Sequence, residues 1–172
     1  MRPILMLTLV AGAACAGRAG RARPQAGTIS VEWTGKLRGT FTAPATARWC
    51  AADTLLEVIA FHGDTAVGLS LVARGSVDVG LYPVIDSRGF IPGRPQAGVA
   101  LRVLGDVNLQ GFDGTGGQVN VTQGRSVVSG TIDVRLRSVS SADTLQMKGW
   151  FERIPVGPAS GVCGRANKPG GG

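Results

Sequence analysis

The chain has 172 residues and a net charge of +7. Its apolar fraction of 44% is too high for a disordered chain, and its length suits one domain with a buried core. The basic excess lies at the two ends, because twelve basic and eleven acidic residues fall between Pro24 and Cys163. A nearly neutral body with few aromatic residues (5%) argues against a nucleic-acid-binding domain.

The N-terminal residues have the pattern of an export signal. A short positive segment, Met1–Pro3, precedes an apolar run of 11 residues, Ile4–Ala14. A membrane-spanning helix needs about 20 apolar residues, so this run predicts a secretory signal peptide and not a stable span.

The next residues bear on how the exported chain is processed. Gly12–Cys15 resembles a bacterial lipobox, in which a cysteine after small residues is lipidated and becomes the new N-terminus. The resemblance implies a signal peptide over residues 1–16, lipidation at Cys15 and membrane attachment through that lipid. The same stretch contains an A-x-A site, and ordinary cleavage after Ala16 would instead release a soluble secreted protein.

Two cysteines remain in the exported body. Lipidation and cleavage each take Cys15 out of the pool of free thiols, so Cys50 and Cys163 form an even pair, and an oxidising compartment favours a disulfide between them. The alternative is a pair of unlinked buried thiols. Residues 17–27 carry three arginines and three glycines and are predicted to form a flexible basic linker.

After the linker, apolar and polar residues alternate as they do in half-buried β-strands. Thr28–Thr34 and Leu37–Thr42 are predicted to form a hairpin, and Ala43–Cys50 a loop around its proline. Ala51–Phe61 is ambiguous, because its apolar, β-branched residues favour a buried strand whereas a short helix capped at Asp53 is the open alternative.

The rest of the body continues the β pattern. The predicted strands are Ala66–Val72, Val77–Tyr82, Gly98–Leu104, Val107–Phe112, Gln118–Thr122, Val128–Arg137 and Leu145–Glu152. The glycines of Gly111–Gly117 are predicted to form turns, and Pro155 is predicted to end the last strand because proline has no N–H. About nine or ten short strands predict an all-β domain over residues 28–163, an antiparallel β-sandwich or barrel, with a disordered tail over residues 164–172.

Few residues have the spacing that catalysis or metal binding requires. His62 is the only histidine and lies in a His-Gly-Asp turn, so no other imidazole base is present and zinc lacks a ligand cluster. Asp106–Gly111 has a passing likeness to a calcium loop, but Gly117 stands where that loop needs a carboxylate. We therefore predict no catalytic residue, no metal and no cofactor.

Trp150 is the aromatic residue whose position is least typical of a core. It shares its predicted strand face with Lys148 and Glu152, so its indole is expected to be exposed or covered by a loop. Exposed aromatic side chains mark partner and ligand surfaces, and Trp150 is therefore a possible binding surface.

Together these features favour an exported envelope lipoprotein that acts as a non-enzymatic binding or scaffold module for an unknown protein or small molecule. The alternative is a carrier of an apolar small molecule in a β-barrel cavity, and a carboxylate-based hydrolase comes last. An internal cavity would favour the carrier, whereas a filled interior with one exposed patch would favour the binding module.

Overall fold

The computed structural model describes residues 27–86, 89, 91, 93–104 and 109–158. The predicted signal peptide with Cys15, most of the predicted linker, Cys163 and the predicted tail lie outside this part of the chain. The described residues form no α-helix and nine β-strands: β1 Thr28–Gly35, β2 Gly39–Cys50, β3 Leu55–His62, β4 Thr65–Val72, β5 Gly80–Pro83, β6 Gln96–Leu104, β7 Leu109–Gln123, β8 Val127–Ser138 and β9 Thr144–Pro158.

Eight of these strands close into one antiparallel barrel, and β5 is an additional strand. The ring runs β1-β2-β3-β4-β6-β7-β8-β9 and returns to β1. The all-β, single-domain prediction is confirmed, and of the two predicted architectures the chain adopts the barrel.

Different strands close the two ends of the barrel. The terminal end is the end where the described chain begins and stops; the far end carries the β1–β2, β3–β4, β6–β7 and β8–β9 connections. Near the terminal end β1 is absent, and β2 pairs in parallel with β9 from Ala47↔Val156 to Trp49↔Pro158. On the other side of the barrel β5 pairs with β7 beyond the stretch that pairs with β6. At the terminal end the ring is thus closed by β2 with β9, and β5 adds a ninth strand beside β7.

Apolar side chains fill the barrel interior. Eight strands enclose a space just wide enough for side chains, and alternate residues of every long strand point into it. Trp33 lies in this core and is 6% exposed. The largest fully buried side chains are Ile29, Leu56, Leu69, Leu71, Leu101, Phe112, Ile132, Leu136, Leu145, Met147, Phe151 and Ile154.

A glycine makes room for one of the largest interior side chains. Gly130 on β8 pairs with Phe151 on β9. A Cβ added at Gly130 would lie 2.5 Å from the Phe151 ring and closer still to the backbone oxygen of Asn120. The ring therefore occupies the space that a side chain at residue 130 would take.

The glycine-rich stretch Gly111–Gly117 lies inside a strand, so the predicted turn is wrong. β7 runs through this stretch for 15 residues and joins two predicted strands into one. The register with β8 shifts between Gly114 and Gly116, and Gly117 has a φ of 98°. A bulge of this kind bends a strand, which lets β7 pair first with β6 and then with β5.

The predicted strand breaks at Pro44 and Pro155 are also wrong. Pro44 lies within β2, opposite Thr28, and Pro155 lies within β9. In both places the next residue makes the hydrogen bond that proline cannot: Ala45 N–H donates to Gly27 O (2.7 Å), and Val156 N–H donates to Ser126 O (2.9 Å). Proline is tolerated where the ladder changes partner, which is the case near the start of β1 and the end of β9.

Two other predicted elements are resolved. Residues 51–54 form a turn and β3 follows, so the strand favoured for the ambiguous segment is confirmed and the helix capped at Asp53 is wrong.

The strand predicted at Val77–Tyr82 begins only at Gly80. The Tyr82 hydroxyl donates to Asp78 O (3.0 Å) and accepts from Asp78 N–H (3.1 Å), and burial raises the pKa of this phenol.

At the far end, an ion pair joins the β1–β2 and β8–β9 connections. Lys36 Nζ lies 2.9 Å and 3.1 Å from the two carboxylate oxygens of Asp143, and Ser141 Oγ donates to the same carboxylate at 2.8 Å. The hydrogen bond from Lys36, followed by that from Ser141, holds the pKa of Asp143 below its ordinary value.

Substituting Gly130→Ala should destabilise the fold, because the new methyl group would meet the Phe151 ring and a backbone oxygen. Overpacking of this kind lowers the free energy of unfolding by about 1–3 kcal/mol. Urea denaturation of the variant and the parent would measure the loss. Gly68→Ala is the matched control, since no atom lies within 4 Å of its Cβ position. It should leave stability within about 0.5 kcal/mol. Equal losses for both variants would contradict this account of Gly130.

Asp143→Asn should lower the urea midpoint at pH 7 and lose this effect in acid. A carboxylate with a depressed folded pKa stabilises the fold above the unfolded pKa of about 3.9, and this contribution is lost as the pH falls through the folded pKa. The midpoints of variant and parent should therefore converge between pH 4 and pH 2. Asp64→Asn in the exposed β3–β4 turn is the control, and a difference that persists unchanged in acid would disprove the assignment.

Candidate functional site

The outside of the barrel has two chemically different sides. The outward side chains of β8, β9, β1 and the first part of β2 are polar, and we call this surface the polar wall. Lys148 Nζ lies 3.3 Å from Asp133 Oδ2, and Gln146 Nε2 donates to Asp133 Oδ1 at 2.6 Å. The hydroxyls of Ser30 and Thr42 are hydrogen-bonded at 2.7 Å. This wall has the usual character of a strand face turned toward water.

The outward side chains of β3, β4, β6 and the first part of β7 form a contrasting surface, the apolar wall. Large apolar side chains point outward here: Leu55, Ile59, Phe61, Leu104 and Leu109. Phe61, Leu104 and Leu109 are 68%, 55% and 56% exposed. Antiparallel strands that cover a core on one face usually turn polar side chains to water on the other. An apolar outer face on adjacent strands therefore marks a candidate interaction surface.

A groove with a volume of about 660 Å³ runs along the apolar wall. Its floor consists of small, half-buried residues of β4 and β6: Ala66, Gly68, Gly98 and Ala100. Strand register places Gly68 between Ile59 on β3 and Ala100 on β6. The absence of side chains along this floor creates the depression, whose volume is in the range of about 300–1,000 Å³ typical of ligand sites.

Three charged residues lie on the apolar wall. Glu57 is neutralised by Arg48, whose Nε donates to Glu57 Oε2 at 2.5 Å. Arg102 and Asp113 lie diagonally across the β6–β7 ladder, because Arg102 pairs with Gly111 and Asp113 pairs with Ala100. Within the described residues neither Arg102 nor Asp113 takes part in an ion pair. The wall thus carries one cation and one anion that have no ion-pair partner in the part of the chain that the structure describes.

A second, smaller pocket lies at the terminal end. It has a volume of about 240 Å³, and its lining is mostly apolar, with one hydroxyl and one cation: Trp49, Leu56, Gly75, Ser76, Val77, Val156 and Arg125. This volume is below that of typical ligand sites, so the groove is the better candidate.

The predicted binding residue Trp150 is not part of the groove. It is half-buried on the polar wall, between Ser30 on β1 and Thr131 on β8. The structure therefore places the sequence-predicted surface and the groove on opposite sides of the barrel.

The predicted disulfide partners are only partly within the described chain. Cys50 is the last residue of β2 and is 4% exposed. Its neighbour Trp49 pairs with Pro158, the last residue of β9. Cys163 lies outside the described residues, five positions beyond Pro158. The chain that leads to Cys163 therefore leaves the barrel beside Cys50.

The remaining candidate chemistry is dispersed. His62 is exposed, as predicted, but it is the last residue of β3, and the turn begins at Gly63. In the described part of the chain, no three residues of the types His, Cys, Asp and Glu are close enough to hold a metal ion. Within the same residues, no helix has the length and apolar character needed to span a bilayer. Most of the predicted calcium-like loop, Asp106–Gly111, lies outside the description.

Sequence reasoning missed the apolar wall, although its signal is present. In β3 the outward positions Leu55, Ile59 and Phe61 are apolar, as are the inward ones, so the usual alternation fails. β4 and β6 depart from the alternation in a different way, since glycine and alanine take four of their outward positions: Ala66, Gly68, Gly98 and Ala100. Adjacent strands with few polar outward residues predict a surface that is covered or used in binding.

Comparison with family models, with curated proteins and with solved structures finds no match to this chain. Function is therefore inferred from the two walls and the groove.

Proposed function

We propose that this protein is an exported, non-enzymatic binding or scaffold module of the cell envelope, tethered by a lipid at Cys15, with the apolar wall as its binding surface. One observation carries the proposal: an apolar wall with a groove lies on the outside of a barrel whose interior is filled. A filled interior directs binding to the outer surface, because a ligand inside would have to displace packed core side chains.

A carrier of an apolar small molecule is the second candidate. The packed side chains of Phe112, Met147 and Phe151 stand against a ligand in the barrel lumen, since each is at most 2% exposed. The volume of the outer groove favours a small-molecule site there instead. On this reading the groove, and not a lumen, would hold the cargo.

The positions of the chain ends support the tether. The described chain begins at Gly27 and stops at Pro158, and both residues lie at the terminal end of the barrel, where Gly27 N–H donates to Glu152 O at 2.7 Å. A linker over residues 17–27 would attach this end to the membrane and leave the apolar wall along the side of the barrel. Basic residues beside a lipid give the two signals that stable attachment needs.

The same end favours the Cys50–Cys163 disulfide. The pairing of Trp49 with Pro158 brings the outgoing chain next to Cys50, so five residues suffice to bring Cys163 within bonding distance. The bond would close a loop of about 110 residues and contribute roughly 4 kcal/mol in the chain-entropy model.

The intact mass of the chain, purified from its own host with and without reductant, tests the tether and the disulfide. We expect a chain that begins at Cys15 with a diacylglyceryl group, and a gain of two hydrogen atoms on reduction. A mass that begins at Gly17 without an adduct would identify a soluble secreted protein. An unchanged mass on reduction would exclude the disulfide.

Site-specific photo-cross-linking in intact cells tests the binding surface. With p-benzoylphenylalanine in place of Phe61, irradiation should give an adduct of the full-length chain. The same group in place of Thr131, an exposed residue of the polar wall, is the matched control and should give none. Adducts from Thr131 or Trp150 but not from Phe61 would transfer the binding surface to the polar wall and contradict the proposal.

A further inference from the structure

We infer that the apolar wall binds the same wall of a second copy of this chain, so that the protein forms a two-fold symmetric dimer. The inference rests on the proposed function, because it takes the apolar wall as the binding surface and specifies its partner.

The charges of the wall distinguish a second copy from an apolar ligand. Arg102 and Asp113 lie within the wall and have no ion-pair partner among the described residues. An apolar ligand that covered them would remove both charges from water and supply no opposite charge to either, which is costly. In a two-fold arrangement each surface meets itself, so Arg102 of one copy can pair with Asp113 of the other, and the reverse pair forms by symmetry.

The shape of the wall is also self-complementary. A two-fold interface requires a projection and a matching depression on the same surface. Phe61 projects, with 68% of its surface exposed. It lies one strand away from the groove floor, since it pairs with Ala66, which is itself a floor residue. The Phe61 ring of one copy can enter the groove of the other, where Gly68 and Ala100 provide space.

The size of the wall sets an upper limit on the contact. Four strands spaced by about 4.8 Å, each about eight residues long, give a surface of roughly 20 by 25 Å. Because these strands make up half of a convex barrel, two such walls would bury at most about 1,000 Å², the size of a weak interface. A two-fold axis parallel to the barrel keeps both terminal ends on one side, as attachment to one membrane requires. Tethering in one membrane raises the effective concentration, so a small interface can be occupied.

Photo-cross-linking from Phe61 in the full-length chain, with two differently tagged copies in one cell, tests the inference. We expect an adduct of twice the chain mass that carries both tags. Arg102→Asp alone and Asp113→Arg alone should each lower its yield at least fivefold, because like charges then meet across the interface. The double variant should restore the yield to within twofold of the parent, since the pair is then reversed in both copies. Circular dichroism should show that all variants keep the parent fold, as expected for exposed positions.

Each other outcome has a defined meaning. An adduct of a different protein, or one of small-molecule mass, would overturn the dimer while leaving the apolar wall as the binding surface. A double variant that does not restore the yield would also overturn the dimer. The absence of any adduct from Phe61 would contradict both the dimer and the proposed function.

Discussion

Closure of the hydrogen-bonded ring is the constraint on which the rest of this structure depends. An open sheet leaves two edges with unpaired N–H and C=O groups, whereas a closed barrel leaves none. Within the ring β7 pairs with β6 and β8, and beyond the bulge between Gly114 and Gly116 it pairs with β5 in place of β6. At the terminal end β9 continues past the start of β1 and pairs with β2. The glycines and prolines that look like strand breaks in the sequence stand where the ring changes partner.

Closure also determines where binding can occur. Eight strands surround a space that is just wide enough for side chains, and large residues such as Phe112 and Phe151 fill it. An interior cavity would remove the packing contacts of these residues. The outer surface is then the place left for recognition. It is uneven in chemistry: one side follows the polar pattern of a solvated strand face, and the other presents Leu55, Ile59 and Phe61. The same constraint that seals the interior therefore makes the apolar outer wall the feature that most needs a functional explanation.

Local pattern was sufficient to predict most strands but not their arrangement. The inward positions of β8 and β9 were predicted because Ile132, Val134 and Met147 alternate with polar residues, and the register of one strand fixes which face is buried. The Gly111–Gly117 segment could not be assigned locally, because a bulge and a turn have the same glycine signal. The groove could not be predicted, since its floor combines Gly68 and Ala100 from strands whose pairing depends on closure. Trp150 stands out in the sequence because it is an aromatic residue on a polar strand face, whereas the apolar wall has no such contrast between neighbouring residues.

Small residues explain how the protein can carry such a wall on its surface. A continuous face of leucine or phenylalanine would bind many apolar surfaces without selectivity. Glycine and alanine at the floor expose little apolar area until a projecting side chain of matching shape fills the groove. Arg102 and Asp113 add a further restriction. A partner that covers them without supplying opposite charges binds less tightly, because removing both charges from water costs free energy. The shape of the groove therefore favours a partner with a projecting aromatic side chain, and the two charges favour a partner that carries an anion beside a cation. This chain carries all of these features on the apolar wall itself.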